Sequence, residues 1–138
     1  MKATMHLTKD IQESEKQYRV CVFNVLSHNR DDHSKNFSFL MDPKGSWQVS
    51  PSYDLTFSSG PSGEHCSMIM GEGKNPGIKQ LLELAKISNI KKTTALKIID
   101  EVTSSVSKWS DFAKDAGVSA TSCKFINSSL KKIIQENF

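Results

Sequence analysis

Arginine is scarce in this sequence: of 18 basic residues only Arg19 and Arg30 are arginine. A dedicated nucleic-acid binder concentrates Arg and Lys on one face, with guanidinium forks for phosphate or guanine. Here the lysines are scattered, with short pairs at Lys91–Lys92 and Lys131–Lys132, and the net charge is only +3. They read as solvated helix faces, so direct nucleic-acid binding is not expected. Cysteine is also scarce. Cys21, Cys66 and Cys123 are odd in number and lack C-x-x-C spacing, which excludes the usual zinc and redox motifs. Apolar runs are short. Met1–Thr8 holds no signal-peptide core, and nothing approaches the roughly 18–20 apolar residues needed to cross a bilayer. These absences predict a cytoplasmic chain with free thiols and no membrane association.

The composition is that of a globular domain, 37% hydrophobic and 24% charged, and 138 residues suffice for one domain with a core. Apolar residues at Ile11, Tyr18, Val22, Val25 and Leu26 predict a helix over Thr8–His28, with Asp10 and Glu13 as a capping box. Asn36–Met41 and Trp47–Ser50 flank the turn Asp42-Pro43-Lys44-Gly45 and predict a β-hairpin that Pro51 ends. Thr56–Glu64 is rich in Ser, Gly and Pro and reads as an exposed, mobile loop, with a short strand possible at Cys66–Met70. The remainder is helical. One helix begins at Asn75-Pro76 and carries Ile78, Leu81, Leu82 and Ala85. A long one spans Thr93–Lys114 before a stop at Gly117, and a last one spans Ser119–Glu136 with Ile126, Leu130, Ile133 and Ile134. Trp47 and Trp109 read as core anchors, and the Met68–Met70 pair as packing. The expected fold is mostly α (α+β): a single domain over residues 1–138, a helical bundle with one small hairpin.

Between the first helix and the hairpin lie ten consecutive polar residues, Ser27–Asn36. Asp31 and Asn36 have the D-x-x-x-x-N spacing of the protein-kinase catalytic loop. In that chemistry a carboxylate accepts the proton of the attacking hydroxyl, while a nearby amide oxygen holds Mg²⁺ on the nucleotide phosphates. A second acid must ligate magnesium from a separate strand end, and Asp54 stands just past the hairpin. Alone, this spacing recurs by chance in loops whose Asp and Asn merely cap turns.

The fuller string is more specific. Asn29-x-Asp31-x-His33-x-Lys35-Asn36-Phe37, followed by Ser50-Pro51-x-Tyr53-Asp54, resembles the N-x-D-x-H-x-K-N-F and P-x-Y-D signature of the HipA family. Phe23-Asn24-Val25-Leu26 and the helices from Ile78 to about Phe112 fit the same likeness, which is strongest over residues 18–55. HipA-like proteins are bacterial Ser/Thr kinases, many of them toxins of toxin–antitoxin pairs. The resemblance implies a kinase C-lobe-like bundle, with Asp31 as the catalytic carboxylate and Asn36 and Asp54 as Mg²⁺ ligands in an ATP site. Lys35 would lie near the phosphates and His33 would orient the loop. It also implies a HipB-like antitoxin partner and a protein substrate such as an aminoacyl-tRNA synthetase.

Two departures stand out. His28 occupies a position where the family commonly has Gly. The N-terminal nucleotide-binding lobe is absent: there is no V-A-I-K lysine, hinge or phosphate-covering loop, and Gly71-Glu72-Gly73-Lys74-Asn75-Pro76-Gly77 reads as a turn. The isolated chain is therefore expected to be inactive. Two alternatives stay open. One is a small metal-dependent phosphohydrolase or nuclease built on His28, Asp31, Asp32, His33 and Asp54. The other is a non-catalytic kinase remnant that binds a partner. The bland readings make His6, His28 and His65 surface residues and Asp32 a solvated or supporting acid.

Overall fold

The computed structural model describes all residues, Met1–Phe138. Six helices and one hairpin follow in order: α1 (Lys2–Thr8), α2 (Ile11–Leu26), β1 (Phe39–Met41), β2 (Trp47–Val49), α3 (Ile78–Ile87), α4 (Lys92–Val106), α5 (Trp109–Asp115) and α6 (Ala120–Asn137). The fold is α+β and mostly helical, as the periodicity predicts. No helix is long and apolar enough to cross a membrane.

The core lies between α2, α3 and α4. Tyr18, Val22, Val25 and Leu26 of α2 meet Leu81, Leu84 and Ala85 of α3 and Ala95, Ile98, Ile99, Val102 and Val106 of α4. All but Leu84 belong to the apolar stripes that the sequence predicts for these helices, and burial of each large side chain contributes roughly 1.5–3 kcal/mol. Leu130 closes the cluster from α6. The Tyr18 hydroxyl, fully buried, donates to the Leu81 carbonyl at 3.1 Å and ties α2 to α3.

The N-terminal half differs from expectation in three ways. The predicted helix over Thr8–His28 forms as α2, shorter at both ends, and a separate seven-residue helix that the periodicity did not announce, α1, precedes it across Lys9 (φ 54°) and packs on α2 and β2. Asp10 does cap α2, accepting from the Gln12 amide at 2.8 Å, but Glu13 completes no capping box. Its buried carboxylate instead accepts from the Val49 amide of β2 at 2.7 Å and pairs with Lys16. Glu13 thus anchors a hairpin that, with three residues per strand, would be marginal alone. The hairpin turn forms as read: Asp42 Oδ1 accepts from the amides of Lys44 and Ser46, and Gly45 takes φ 85°. Trp47 is no core anchor: it stands opposite Met41 across the hairpin, and both are exposed.

Further along, Cys66–Met70 is not a strand; it forms bends and a single bridge between Ile69 and Glu72. Helix α3 starts at Ile78, two residues beyond Pro76, after a Gly77 whose amide donates to the Gln80 side chain. The predicted Thr93–Lys114 helix is broken after Val106. Hydroxyls of Thr103, Ser105 and Ser107 donate back to the carbonyls of Ile99, Glu101 and Thr103, which bends helices, and Lys108 reverts to an i−3 bond to Ser105. The break lets Trp109 pack against the core from α5. Gly117, at φ 69°, precedes α6, which Ser119 caps by accepting from the Ser122 amide.

Candidate functional site

The polar segment leaves the C-terminus of α2 through His28, whose φ of 57° lies in the left-handed region. That backbone favours Gly, and His is among the few other residues that visit it. His28 is not a free surface residue: its Nδ1 lies 3.2 Å from the Ser58 carbonyl, and its ring stacks on Phe57 at 5.0 Å. Burial, then the neighbouring Arg30 charge, holds its imidazole below the ordinary range.

Asn29 follows, fully buried, and its amide donates to Asn24 Oδ1 at 3.1 Å and to the Asp54 carbonyl at 3.3 Å. This is the first link between the two halves of the signature. Asn36 makes the second. Its Nδ2 donates to the Asp31 carbonyl and to Asp54 Oδ2, each at 2.9 Å. Tyr53 makes the third, donating its hydroxyl to the Lys35 carbonyl at 2.7 Å. Asp31, Lys35, Asn36 and Asp54 are thereby gathered on one exposed face, although 23 residues separate the first from the last. The hairpin supplies the return. Ser38 and Ser50 close its base, with hydroxyls 2.8 Å apart, and the chain leaving Pro51 delivers Asp54 beside the loop.

Asp54 itself has φ 54°, a backbone cost of about 1–2 kcal/mol that the Asn29 and Asn36 bonds offset. Asp31 keeps its carboxylate half exposed, with Oδ1 3.8 Å from His33 Nε2 and 3.9 Å from Cys66 Sγ. The Cys66 thiol is pushed up by desolvation and by the Asp31 and Asp32 carboxylates. Lys35 is exposed, with no carboxylate against its ammonium.

For a divalent cation, the adjoining Asn36 amide and Asp54 carboxylate offer hard oxygens and no thiolate or imidazole. That set suits magnesium, which takes most of its ligands from phosphate and water. No three His, Cys, Asp or Glu side chains converge as a self-sufficient metal cage. In particular, the five residues of the phosphohydrolase reading do not cluster, because His28 faces Ser58 and Asp32 turns inward.

His65, expected at the surface, instead meets Asp32, which is a supporting acid and not a solvated one. Neither is a surface residue: Asp32 is 2% and His65 6% exposed, and His65 Nδ1 lies 3.0 Å from Asp32 Oδ2. Asp32 Oδ1 also accepts from the Ser67 amide at 3.0 Å. Arg30 is likewise structural, donating to the carbonyls of Gly63 and Lys74. The Thr56–Glu64 segment is therefore tied to the loop rather than free. Asn29 and Tyr53 belonged to the signature string, but nothing local announced their bridging roles.

Residues 1–110 match the family described as HipA-like C-terminal domain, and the chain belongs to that family. Among solved structures it is similar to a chain of the Shewanella oneidensis MR-1 toxin–antitoxin complex of HipA, HipB and operator DNA. The TM-score is 0.68 at 17% identity, covering 88% of this chain. This chain spans 30% of that one's length. No curated protein sequence matches it.

Proposed function

We propose that this domain is the catalytic lobe of a HipA-like Ser/Thr protein kinase, which transfers the γ-phosphoryl group of Mg·ATP to a protein hydroxyl. The observation that carries the reading is Asn36 Nδ2 joining the Asp31 backbone to the Asp54 carboxylate, 2.9 Å to each. That contact holds together the three residues read as the general base and the magnesium ligands, and so supports a site with the parts phosphoryl transfer needs from this side of a cleft. The substrate hydroxyl oxygen bonds to the γ-phosphorus as the bond to the β–γ bridging oxygen breaks and ADP leaves. Asp31 takes the hydroxyl proton, and its half-exposed carboxylate is open to a docked protein. Magnesium, when bound, neutralises charge on the phosphate oxygens. Asn36 and Asp54 would hold it, and Lys35 would lie beside the phosphates.

Such chemistry depends on positioning, so the lobe acts only when a nucleotide-covering lobe completes the cleft. By the same likeness we assign the domain to the toxin of a toxin–antitoxin pair, with a HipB-like antitoxin as partner and an aminoacyl-tRNA synthetase as a candidate substrate. The related assembly includes operator DNA, which gives no support to the expectation that nucleic acid is never contacted. The test is ATP turnover with Mg²⁺ and Mn²⁺, by the 138-residue chain alone and joined to a HipA-type N-terminal lobe. Turnover is expected only in the joined form, and Asp31→Asn and Asp54→Ala should abolish it. Turnover by the chain alone, lost in both variants, would favour a phosphohydrolase.

A further inference from the structure

The segment after Asp54 doubles back along the catalytic loop, and the pairing is dense. The Ser58 amide donates to the His28 carbonyl at 3.0 Å, the Arg30 amide to Ser58 at 3.2 Å, and the Cys66 amide to Arg30 at 3.0 Å. The Ser67 hydroxyl donates to the Asp32 carbonyl. With Asn36 on the Asp31 carbonyl, three consecutive carbonyls, those of Arg30, Asp31 and Asp32, are each held from outside the loop backbone. Gly60 shows how closely the segment is seated: a Cβ there would fall 2.3 Å from the Glu64 carbonyl oxygen and 2.5 Å from Arg30 Cβ.

One side-chain contact in this zipper is buried on both sides. Asp32 and His65 have side chains 2% and 3% exposed. His65 is fixed in turn by its amide, which donates to Gly73 at 2.8 Å. Both Asp32 oxygens accept a hydrogen bond, one from the His65 side and one from the Ser67 amide, and the carboxylate is buried away from the exposed face that carries Asp31. Burying a carboxylate is costly unless its hydrogen bonds are complete, and here they are supplied only by residues 65–67.

We propose that Asp32 and His65 are a positioning pair for Asp31. By docking residues 65–67 they pin the backbone on both sides of the base and so aim its carboxylate. This rests on the reading of Asp31 as the base, but the tether can be tested independently.

The experiment is amide hydrogen exchange on the 138-residue chain, with the Asn36 side-chain amide followed by NMR. In the unmodified chain the Cys66 and Ser67 amides should be protected. His65→Ala should raise exchange in residues 28–36 and 57–75 by roughly tenfold to a hundredfold, leave α2 and α4 unchanged, and shift the Asn36 amide resonances. His65→Asn, which keeps a donor near the Nδ1 position, should restore most of both. Unprotected Cys66 and Ser67 amides in the unmodified chain would overturn the proposal even if the Ala variant fails to fold. So would exchange that rises evenly through the helices, or an Asn36 signal that stays still. If the tether holds while no divalent ion binds at Asn36 and Asp54, the phosphoryl-transfer reading fails and the tether survives.

Discussion

Glu13 offers a quantitative test of how the hairpin is held. Its carboxylate sits on α2 with a side chain 8% exposed, accepts the Val49 amide at 2.7 Å and pairs with Lys16, whose own side chain is 60% exposed. The exposed partner makes the ion pair worth little, so the amide bond dominates. Glu13→Gln keeps an acceptor of the same size and should cost about 0.5–1 kcal/mol. Glu13→Ala leaves the half-buried Val49 amide to find water and should cost about 1.5–2 kcal/mol. At roughly 3–4 °C per kcal/mol for a domain of this size, these are losses in Tm of about 2–4 and 5–8 °C.

The pH dependence fixes the cause. Burial alone would raise the Glu13 pKa, but the Lys16 and Val49 hydrogen bonds outweigh it and hold the carboxyl below its ordinary 4.5. A depressed carboxyl stabilises the fold above its unfolded pKa and loses that contribution as pH falls through the folded value. The gap between the native chain and Glu13→Gln should therefore be full at pH 7 and close progressively below 4.5. Urea denaturation at a series of pH values measures it. Equal stabilities at pH 7, or a gap that persists undiminished at acid pH, would refute the reasoning.

Other sites give sharp contrasts. Gly60→Ala should cost about 2 kcal/mol or more through overpacking and positive φ, whereas Gly45→Ala, with φ 85° but nothing within 4 Å of a Cβ, should cost about 1; denaturation midpoints compare them. His28→Gly relieves a left-handed backbone but loses the Phe57 stack, so it should change stability by less than about 1 kcal/mol, while β-branched His28→Val should cost about 2. The Cys66 thiol, raised by desolvation and then by Asp31, should alkylate at pH 8 more slowly than a free thiol, and Asp31→Asn should speed it.

The parts of the fold visible in the sequence are those that local pattern encodes. The stripes on α2, α3, α4 and α6 put their apolar residues into one cluster, and the turn at Asp42–Gly45 needed only its own side chains. The signature residues were equally legible, because their order along the chain is what the family string records. What stayed hidden depends on distant partners. Glu13 reads as a cap because its position is right for one, but Val49, 36 residues on, competes for it and wins. His65 and Asp32 look like surface residues because each is polar amid polar neighbours, and only the doubled-back segment buries them together. The break after Val106 was a matter of degree: a Thr and Ser run lowers helix stability without naming the residue that yields. Trp47 misled because size alone does not say which face of a two-stranded hairpin meets the core.

The proposed phosphoryl transfer requires a divalent-cation site at Asn36 and Asp54, beside Asp31. Adding Mn²⁺ with an ATP analogue to the isotope-labelled chain and recording paramagnetic broadening tests it most directly. Broadening should centre on Asn36, Tyr53 and Asp54, weaken across α4 and α6 and disappear in Asp54→Ala. No broadening there, or a centre at some other acidic pair that persists in Asp54→Ala, would contradict it.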